Sequence, residues 1–414
     1  MHIAMLSIHS SPLAQLGGKE AGGMNVYVRE LSRHLALHGV TVDIFTRRSA
    51  AHLPTVQALM PGVRLVHVPA GPAAPYDKNR ILDHLPAMLA FIEQFAATNP
   101  APYDLIHSHY WISGEVALAL RERWRVPVVQ MFHTLGAMKN QVARSTEETE
   151  TLARIAIERR LLQQVDTVIA ATPLDLQQMQ KHYTADLAPT TIIPPGVDTE
   201  HFTPHPQAKA RACMGLALDQ RYVLCIGRIE PLKGMDALIE ALALLHQSNP
   251  LWRETLQVLL VGGATEDDPA AWNTEQHRLH TLRTTLGVAR AVQFVGAVPH
   301  AALPDYYAAA DVLAIPSHYE SFGMVALEGM ASGVPVVASA VGGLTYSITD
   351  GQSGLLVPPA DPPALAAQIE RLLTDPMLRD GLRAGGVQQA GAYGWPRITG
   401  HIIELYKKLI GPER

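Results

Sequence analysis

Two series of short apolar runs, each alternating with longer amphipathic segments, most constrain how this chain can fold. The first series includes "HIAMLSI", "TVDIFT", "VRLVHVP" and "DLIHSHY", and the second begins after Thr203 with "YVLCIGR", "LQVLLVGG" and "ADVLAIPS". Short apolar strands that alternate with helices are typical of βαβ units around a parallel sheet. The sequence therefore predicts an α/β fold with two Rossmann-like, doubly wound domains.

The boundary between the domains is predicted in "IIPPGVDTEHFTPHPQ", where prolines and a glycine exclude regular structure. This gives an N-terminal domain over residues 1–193, a hinge linker over 194–207, a C-terminal domain over 208–394 and a final helix over 395–414 that could pack on the N-terminal domain. At 414 residues the chain exceeds the size of a single hydrophobic core. A hinge is expected to leave a cleft between the domains and to let them close.

Composition favours a cytoplasmic protein that has no nucleic-acid partner. The formal net charge is -5 and charged residues make up 17% of the chain, so no large basic surface is expected. Two cysteines give no disulfide framework, which fits a reducing compartment. No apolar stretch approaches the roughly 20 residues of a membrane span. The oligomeric state is left open, a homodimer included.

A glycine-rich loop, "GGKEAGGMN", follows the first predicted strand and precedes a helix. Glycine lets a ligand approach the backbone, and the N–H groups at a helix N-terminus attract anions. Gly22 and Gly23 are therefore candidate phosphate contacts, and Asn25 could offer its amide to a hydroxyl or a phosphate. A tight turn explains the glycines equally well, because the spacing is neither G-x-G-x-x-G nor that of a Walker loop.

A pair of cations, Arg228 and Lys233, follows a predicted strand in "GRIEPLKG". The planar guanidinium fork and the compact ammonium suit a diphosphate. The alternative is that both are solvated surface cations.

A pair of carboxylates, Glu320 and Glu328, flanks a helix start in "ESFGMVALEGM". Eight helical positions span about 12 Å, enough to reach hydroxyls at both ends of a nucleotide sugar. The backbone N–H groups between Ser321 and Met324 would face outward at the helix start. The alternative is that Glu320 or Ser321 caps the helix and Glu328 is solvated.

Histidines lie at the ends of predicted strands, at His107, His109 and His133. The chain has no H-E-x-x-H motif, no Cys/His ligand set and no Asp-x-Asp pair that would hold a metal on a diphosphate. The sequence therefore predicts no metal site, and arginine, lysine and helix ends are expected to neutralise any bound phosphates.

These motifs, taken in order with "AGGMNVYVREL", "DLIHSHYWISG", "FHTLG" and "PPGVD", resemble glycosyltransferase family 4 over nearly the whole chain. Members of that family are retaining enzymes of the GT-B fold, in which two Rossmann-like domains face each other across a cleft. The resemblance implies transfer of a hexose or N-acetylhexosamine from a nucleotide diphosphate sugar, UDP-linked, with no required cofactor. Within the family the chain is similar to the inositol-phosphate N-acetylglucosaminyltransferases of mycothiol synthesis and to the sucrose-phosphate synthases, which both use phosphorylated acceptors.

The resemblance also implies a role for each candidate residue on the donor side. Arg228 and Lys233 would contact the diphosphate, Glu320 the donor sugar and Glu328 the ribose, while His133 would lie near the reacting carbon. The catalytic set would be His133, Glu320, Arg228 and Lys233. The remaining donor contacts would be Gly22, Gly23, the main chain near Val298, Ser321, Phe322, Gly323, Met324 and Val325.

The acceptor set that the resemblance implies is Asn25, Lys78, Tyr110, Thr134 and Arg154. Lys78 and Arg154 would supply positive charge, and Tyr110 and Thr134 would supply hydroxyl donors, so that together they could hold a phosphate dianion. Taken singly, Lys78 and Arg154 would be ordinary solvated charges.

Three other functions are weighed against this one. A sucrose-phosphate synthase would use fructose 6-phosphate as acceptor. A non-catalytic sugar receptor also has two α/β domains around a hinge, but the Arg228 and Lys233 pair argues against it. A dinucleotide oxidoreductase is disfavoured because no G-x-G-x-x-G opens either domain.

Overall fold

The computed structural model describes residues 1–14 and 22–411, apart from the side chain of Glu147. The predicted glycine-rich loop is therefore covered in part, and its residues 17–21 lie outside the described residues. None of the described helices is long and apolar enough to cross a bilayer.

The described residues form two compact units. Unit 1 comprises Met1–Ala14, Gly23–Pro194 and the helix that begins at Trp395, and unit 2 comprises Gly22 and Pro195–Gly394. Most of the segment predicted as a linker is thus part of unit 2, where the Val197 N–H donates to the carbonyl of Tyr393 at 2.9 Å.

Unit 1 contains an eight-stranded sheet in the order β3-β4-β2-β1-β5-β6-β7-β8. Its strands are β1 (His2–Leu6), β2 (Thr41–Arg47), β3 (Val56–Met60), β4 (Val63–Val68), β5 (Leu105–His109), β6 (Val128–Met131), β7 (Thr167–Ala170) and β8 (Thr190–Ile192). All neighbouring strands are parallel except β3 and β4. The apolar runs do not predict β3, because this edge strand is half exposed and lacks a continuous apolar stretch. Gly62 closes its hairpin with a φ of 82°.

Seven helices of unit 1 cover this sheet. They are α1 (Gly23–Leu37), α2 (Leu85–Ala96), α3 (Tyr110–Trp124), α4 (Gly136–Val142), α5 (Leu152–Gln164), α6 (Pro173–His182) and α16 (Trp395–Ile410), numbered in chain order, with 3₁₀ turns at Lys78–His84 and Thr146–Glu148. α16 buries Trp395, Ile398, Ile402 and Tyr406, the spacing of one helix face. Trp395 packs edge-on against Tyr27 of α1, with 5.4 Å between ring centroids. The apolar face of the C-terminal helix therefore belongs to the core of unit 1.

Unit 2 contains a six-stranded, fully parallel sheet in the order β11-β10-β9-β12-β13-β14. Its strands are β9 (Arg221–Ile226), β10 (Leu256–Val261), β11 (Val292–Gly296), β12 (Val312–Ile315), β13 (Val336–Ser339) and β14 (Leu355–Val357). Its helices are α7 (Gln207–Met214), α8 (Met235–Ser248), α9 (Pro250–Thr255), α10 (Thr274–Thr285), α11 (Leu303–Ala309), α12 (Met324–Ala331), α13 (Leu344–Ser347), α14 (Pro362–Thr374) and α15 (Pro376–Gly391), with 3₁₀ turns at Pro231–Lys233, Pro269–Ala271, Ala289–Ala291 and His300–Ala302. The predicted pair of doubly wound α/β units is confirmed.

Each sheet has a point at which the strand order reverses, between β1 and β5 in unit 1 and between β9 and β12 in unit 2. In open α/β sheets, ligands bind beyond the carboxyl ends of the strands at such a point. The loops that follow these four strands carry many of the predicted site residues. The topology of each unit therefore indicates a ligand site at the carboxyl ends of these strands.

Candidate functional site

The loops after β9 and β12 bring two predicted donor residues into direct contact in unit 2. The Lys233 Nζ lies 2.6 Å from the Glu320 Oε2, and the Arg228 Nη2 lies 2.9 Å from the Glu230 Oε1. The His318 N–H donates to the Leu232 carbonyl at 2.8 Å and ties the loops together. Lys233 thus joins the carboxylate predicted to hold the donor sugar to the turn predicted to hold the diphosphate.

Gly234 is required for this close approach of the two loops. It has a φ of 60°, and a Cβ built on it would lie 2.1 Å from the carbonyl oxygen of Pro316. A side chain at this position would push the loops apart, so the glycine fixes the separation of Lys233 and Glu320.

The segment before α12 is held by a pair of glycines, Gly342 and Gly343. The Gly343 N–H donates to the Glu320 carbonyl at 2.9 Å, and a Cβ on Gly342 would come within 1.8 Å of the same oxygen. Gly323 caps α12 with a φ of 90°, so the helix begins at Met324. Ser321 therefore precedes the helix, and the N–H groups of Met324 and Val325 are those of its first turn.

Phe322 has a packing role in this segment. Its side chain is buried and lies 5.7 Å from the ring of Tyr393, measured between centroids. Any contact of Phe322 with a donor must therefore come from its main chain.

Glu328 is a buried carboxylate that carries its own partners. The Tyr307 hydroxyl donates to its Oε2 at 2.8 Å, and the His300 Nε2 lies 3.2 Å from its Oε1. Burial, followed by the charge of Glu328, raises the pKa of Tyr307 above its ordinary value and keeps the phenol protonated. These partners hold Glu328 in α12, the helix that follows β12. Val298, which is itself buried, lies two residues before His300 in the loop after β11.

In unit 1, Asn25 is buried in the first turn of α1. Its Nδ2 donates to the Ser10 Oγ at 2.6 Å and to the Ser11 carbonyl at 2.7 Å. Both of these bonds hold the loop after β1, so Asn25 has a structural role in that loop.

Two predicted site residues of unit 1, Tyr110 and His133, adopt the left-handed backbone region, with φ of 74° and 60°. This conformation costs energy for a side chain other than glycine and is concentrated at functional sites. Both residues follow the carboxyl end of a strand, β5 and β6 respectively.

His133, which is partly exposed, lies beside the fully buried His107 and His109. Its Nε2 lies 2.9 Å from the His109 Nδ1, while the His107 Nδ1 lies 2.6 Å from the Tyr406 hydroxyl. Desolvation lowers the pKa of both His133 and His107 to about 3, so these rings are neutral at physiological pH. His133 can offer a neutral hydrogen-bonding ring to a sugar and does not supply a positive charge. Among the described residues, no group of three His, Cys, Asp or Glu side chains is arranged to hold a metal ion.

Three other members of the predicted acceptor set meet around Arg154, which is fully buried in the first turn of α5. Its Nη1 donates to the Tyr110 hydroxyl at 2.8 Å and its Nη2 to the Thr134 carbonyl at 2.9 Å. Lys78 lies with them through a shared carboxylate, Glu150, at 3.3 Å from the Nζ. The structure thus brings Lys78, Tyr110, Thr134 and Arg154 together from separate segments.

Three charged residues of this region have no counterpart in the sequence-based set. They are Lys139, Glu150 and Glu158. Glu150 accepts from Lys139 and lies 2.8 Å from the Arg154 Nη1, and Glu158 lies 2.7 Å from the Arg154 Nε. Burial opposes ionisation of Glu150, but Arg154, Lys78 and Lys139 lower the pKa of its carboxyl to about 2. We call Lys78, Lys139, Glu150 and Arg154 the Glu150 cluster.

The two doubly wound α/β units are those of the GT-B fold of glycosyltransferases. The solved structure of sucrose-phosphate synthase from Thermosynechococcus elongatus matches with a TM-score of 0.90 and 35% identity, covering 99% of this chain and 98% of that chain.

The sequence matches the family Glycosyltransferase Family 4 over residues 21–201 and the family Glycosyl transferases group 1 over residues 207–389. The chain belongs to the family 4 glycosyltransferases, as the motifs predicted. It is 40% identical to the D-inositol 3-phosphate glycosyltransferase of Nocardiopsis dassonvillei, over 99% of this chain and 95% of that protein. It is 42% identical to the enzyme of the same name from Geodermatophilus obscurus, over 98% of this chain and 88% of that protein. Membership of this family favours a transferase over a sugar receptor or an oxidoreductase.

Proposed function

We propose that this glycosyltransferase moves a hexose or N-acetylhexosamine from a UDP-linked sugar to inositol phosphate, with retention of anomeric configuration. One observation supports a phosphorylated acceptor: unit 1 brings together Lys78, Tyr110, Thr134 and Arg154. Cations and hydroxyls gathered in this way suit a phosphate dianion. The names of the relatives at 40% and 42% identity point to the same acceptor.

Most of the donor contacts are assigned to unit 2 in this proposal. Arg228 and Lys233 contact the diphosphate, Glu320 the sugar and Glu328 the ribose, while the main chain near Val298 contacts the base. Further donor contacts come from Gly22, Gly23 and the segment from Ser321 to Val325. His133, whose ring is kept neutral by desolvation, hydrogen-bonds the sugar near the reacting carbon.

The transfer itself needs no protein nucleophile. The acceptor hydroxyl attacks the face of the sugar that the nucleotide leaves, and an oxygen of the departing phosphate accepts the hydroxyl proton. Catalysis then comes from positioning and from the stabilisation of negative charge on the leaving diphosphate. Arg228 and Lys233 supply that stabilisation, so the proposal requires no added cofactor.

A matrix of donors and acceptors tests the proposal. UDP-glucose and UDP-N-acetylglucosamine are each combined with D-inositol 3-phosphate, fructose 6-phosphate and unphosphorylated inositol, and released UDP is measured. We expect turnover with inositol phosphate and none with inositol, and the anomeric proton of the product in an NMR spectrum reports retention. If no phosphorylated acceptor stimulates UDP release, the proposed acceptor class is wrong.

Sucrose-phosphate synthesis is the second candidate, favoured by the 35% identity and TM-score of 0.90 with the synthase from Thermosynechococcus elongatus. The same matrix separates the two candidates, because turnover with fructose 6-phosphate alone would select the synthase.

Gly22→Ala tests whether a ligand approaches the backbone of the glycine-rich loop. The nearest described atom to a Cβ on Gly22 is the Arg228 Nε at 3.7 Å, an ordinary contact, so stability is expected to change by less than about 0.5 kcal/mol. If the donor phosphate lies against this backbone, turnover falls on the order of 10²-fold because the donor is displaced. The matched control is Gly400→Ala, where a Cβ meets nothing within 4 Å. Unchanged turnover in Gly22→Ala would remove Gly22 from the donor site.

A further inference from the structure

Three cations from separate segments converge on a single carboxylate in unit 1. The Glu150 Oε1 lies 3.3 Å from the Lys78 Nζ and 2.8 Å from the Arg154 Nη1, and it also accepts from the Lys139 Nζ. The Glu150 side chain is 7% exposed, against 30% for Lys78 and 21% for Lys139. The carboxylate therefore lies at the centre of the cluster, in the place among the cations where an anionic ligand would make the most contacts.

The main chain of Glu150 is fixed independently of its side chain. Its N–H donates to the Asn140 Oδ1 at 2.6 Å, and its carbonyl accepts from the Asn140 Nδ2 at 3.2 Å. The next residue, Thr151, caps α5 by accepting the Arg154 N–H at 3.2 Å. Rotation about the side-chain bonds of Glu150 would therefore move its carboxylate without disturbing the backbone that positions Arg154.

Glu158, the other carboxylate bound to Arg154, is held much more firmly. It is fully buried and lies 2.7 Å from the Arg154 Nε, and it accepts the Gly136 N–H at 3.0 Å and the Tyr183 hydroxyl. These neutral donors hold the Glu158 carboxylate in place beside Arg154, so Glu158 is a permanent counterion of Arg154. Glu150, in contrast, accepts side-chain bonds from cations alone among its described contacts.

The balance of charge distinguishes the two carboxylates further. Three cations face Glu150 and Glu158, which leaves one net positive charge. A phosphate dianion added beside both carboxylates would make the region net negative. A phosphate that takes the place of the Glu150 carboxylate would instead make it neutral, and it would offer its oxygens to the same three donors.

We propose that the phosphate of the acceptor displaces the Glu150 carboxylate from Lys78, Lys139 and Arg154, and that Lys139 is a further phosphate-binding residue. This inference rests on the proposed function, since it concerns the phosphate site of the same acceptor. Glu150 then acts as a competing anion. Without ligand it compensates the charge of three buried or half-buried cations, and an unphosphorylated acceptor cannot displace it from them.

Binding of inorganic phosphate, measured by calorimetry without any donor, tests the competition. Glu150→Gln keeps the shape of the side chain but removes its charge, and phosphate is expected to bind about tenfold tighter than to the wild type. Lys139→Gln is expected to weaken phosphate binding by about tenfold, because one cation is lost. The control is Glu148→Gln, whose carboxylate accepts the Arg144 main-chain N–H at 2.9 Å, and it should leave phosphate affinity unchanged.

Each result decides the proposal. If Glu150→Gln binds phosphate no better than the wild type, or if neither protein binds it, Glu150 supports the cations and does not compete with phosphate. If Glu150→Gln is too unstable for calorimetry, phosphate should raise its Tm more than that of the wild type, and equal shifts contradict the proposal. Unchanged phosphate affinity in Lys139→Gln removes Lys139 from the site.

The outcome is separate from that of the proposed function. Tighter phosphate binding by Glu150→Gln together with no transfer to inositol phosphate would retain the phosphate site and reject the proposed acceptor. Transfer to inositol phosphate together with weaker phosphate binding by Glu150→Gln would retain the proposed acceptor and reject the competition by Glu150.

Discussion

Lys233→Met is expected to lower the turnover number by about 10²–10³-fold, the loss typical when a group that stabilises a developing charge is removed. In the proposed reaction, Lys233 stabilises the departing diphosphate. Its side chain is 22% exposed and that of Glu320 18%, so the loss of their 2.6 Å bond is expected to cost about 1–3 kcal/mol of unfolding free energy. Initial rates of UDP release and a thermal melt give the two values.

The control for this variant is Lys209→Met, which removes the same charge from an exposed position on α7 of the same unit. It should leave turnover unchanged. Lys233→Arg restores the charge and is expected to recover part of the rate, but less than all of it, because a guanidinium has a different shape. A Lys233→Met enzyme with a turnover number within about twofold of the wild type would contradict the assignment of Lys233 to the diphosphate.

Much of the fold follows from the sequence because buried parallel strands need continuous apolar runs. "YVLCIGR" and "LQVLLVGG" contain neighbouring central strands of unit 2, and their order along the chain is that of βαβ units. The strand over Val56–Met60 could not be found in this way, because it pairs by backbone hydrogen bonds at a half-exposed edge. Pairing of that kind leaves little trace in side-chain hydrophobicity.

The candidate site was less completely predictable, for a different reason. Motif positions indicated Lys78 and Arg154, but not the carboxylates that compensate them, since a Glu in "ETETLARIAIERR" looks like any solvated helix charge. Spacing does offer one signal for Glu150 and Glu158, because each is four residues from Arg154. Spacing gave no such signal for Lys139 and Tyr307. Their partners lie 11 and 21 positions away, further than one turn of a helix, and meet them only in the folded unit.

Arg154→Met is expected to lower the free energy of unfolding by about 3–5 kcal/mol, because it leaves Glu158 buried without its cation. The guanidinium is fully buried and lies 2.7 Å from the Glu158 Oε1 and 2.8 Å from the Glu150 Oε1. Burial by itself would lower the pKa of Arg154, but Tyr110, Glu158 and Glu150 raise it above its ordinary value, so the charge belongs to the folded protein. Chemical denaturation monitored by circular dichroism measures the change.

The matched control is Arg160→Met on the same helix, where the side chain is 49% exposed and pairs with Glu115 at the surface, and a cost of no more than about 1 kcal/mol is expected. Combining Arg154→Met with Glu158→Gln removes the uncompensated charge, so the double variant should regain at least about 1 kcal/mol relative to Arg154→Met alone. That recovery would separate the two roles of Arg154, because the double variant regains stability but still lacks the cation for the acceptor phosphate. An Arg154→Met protein as stable as the wild type would instead mean that the ion pairs with Glu150 and Glu158 contribute nothing to folding, and that Arg154 is present for the ligand alone.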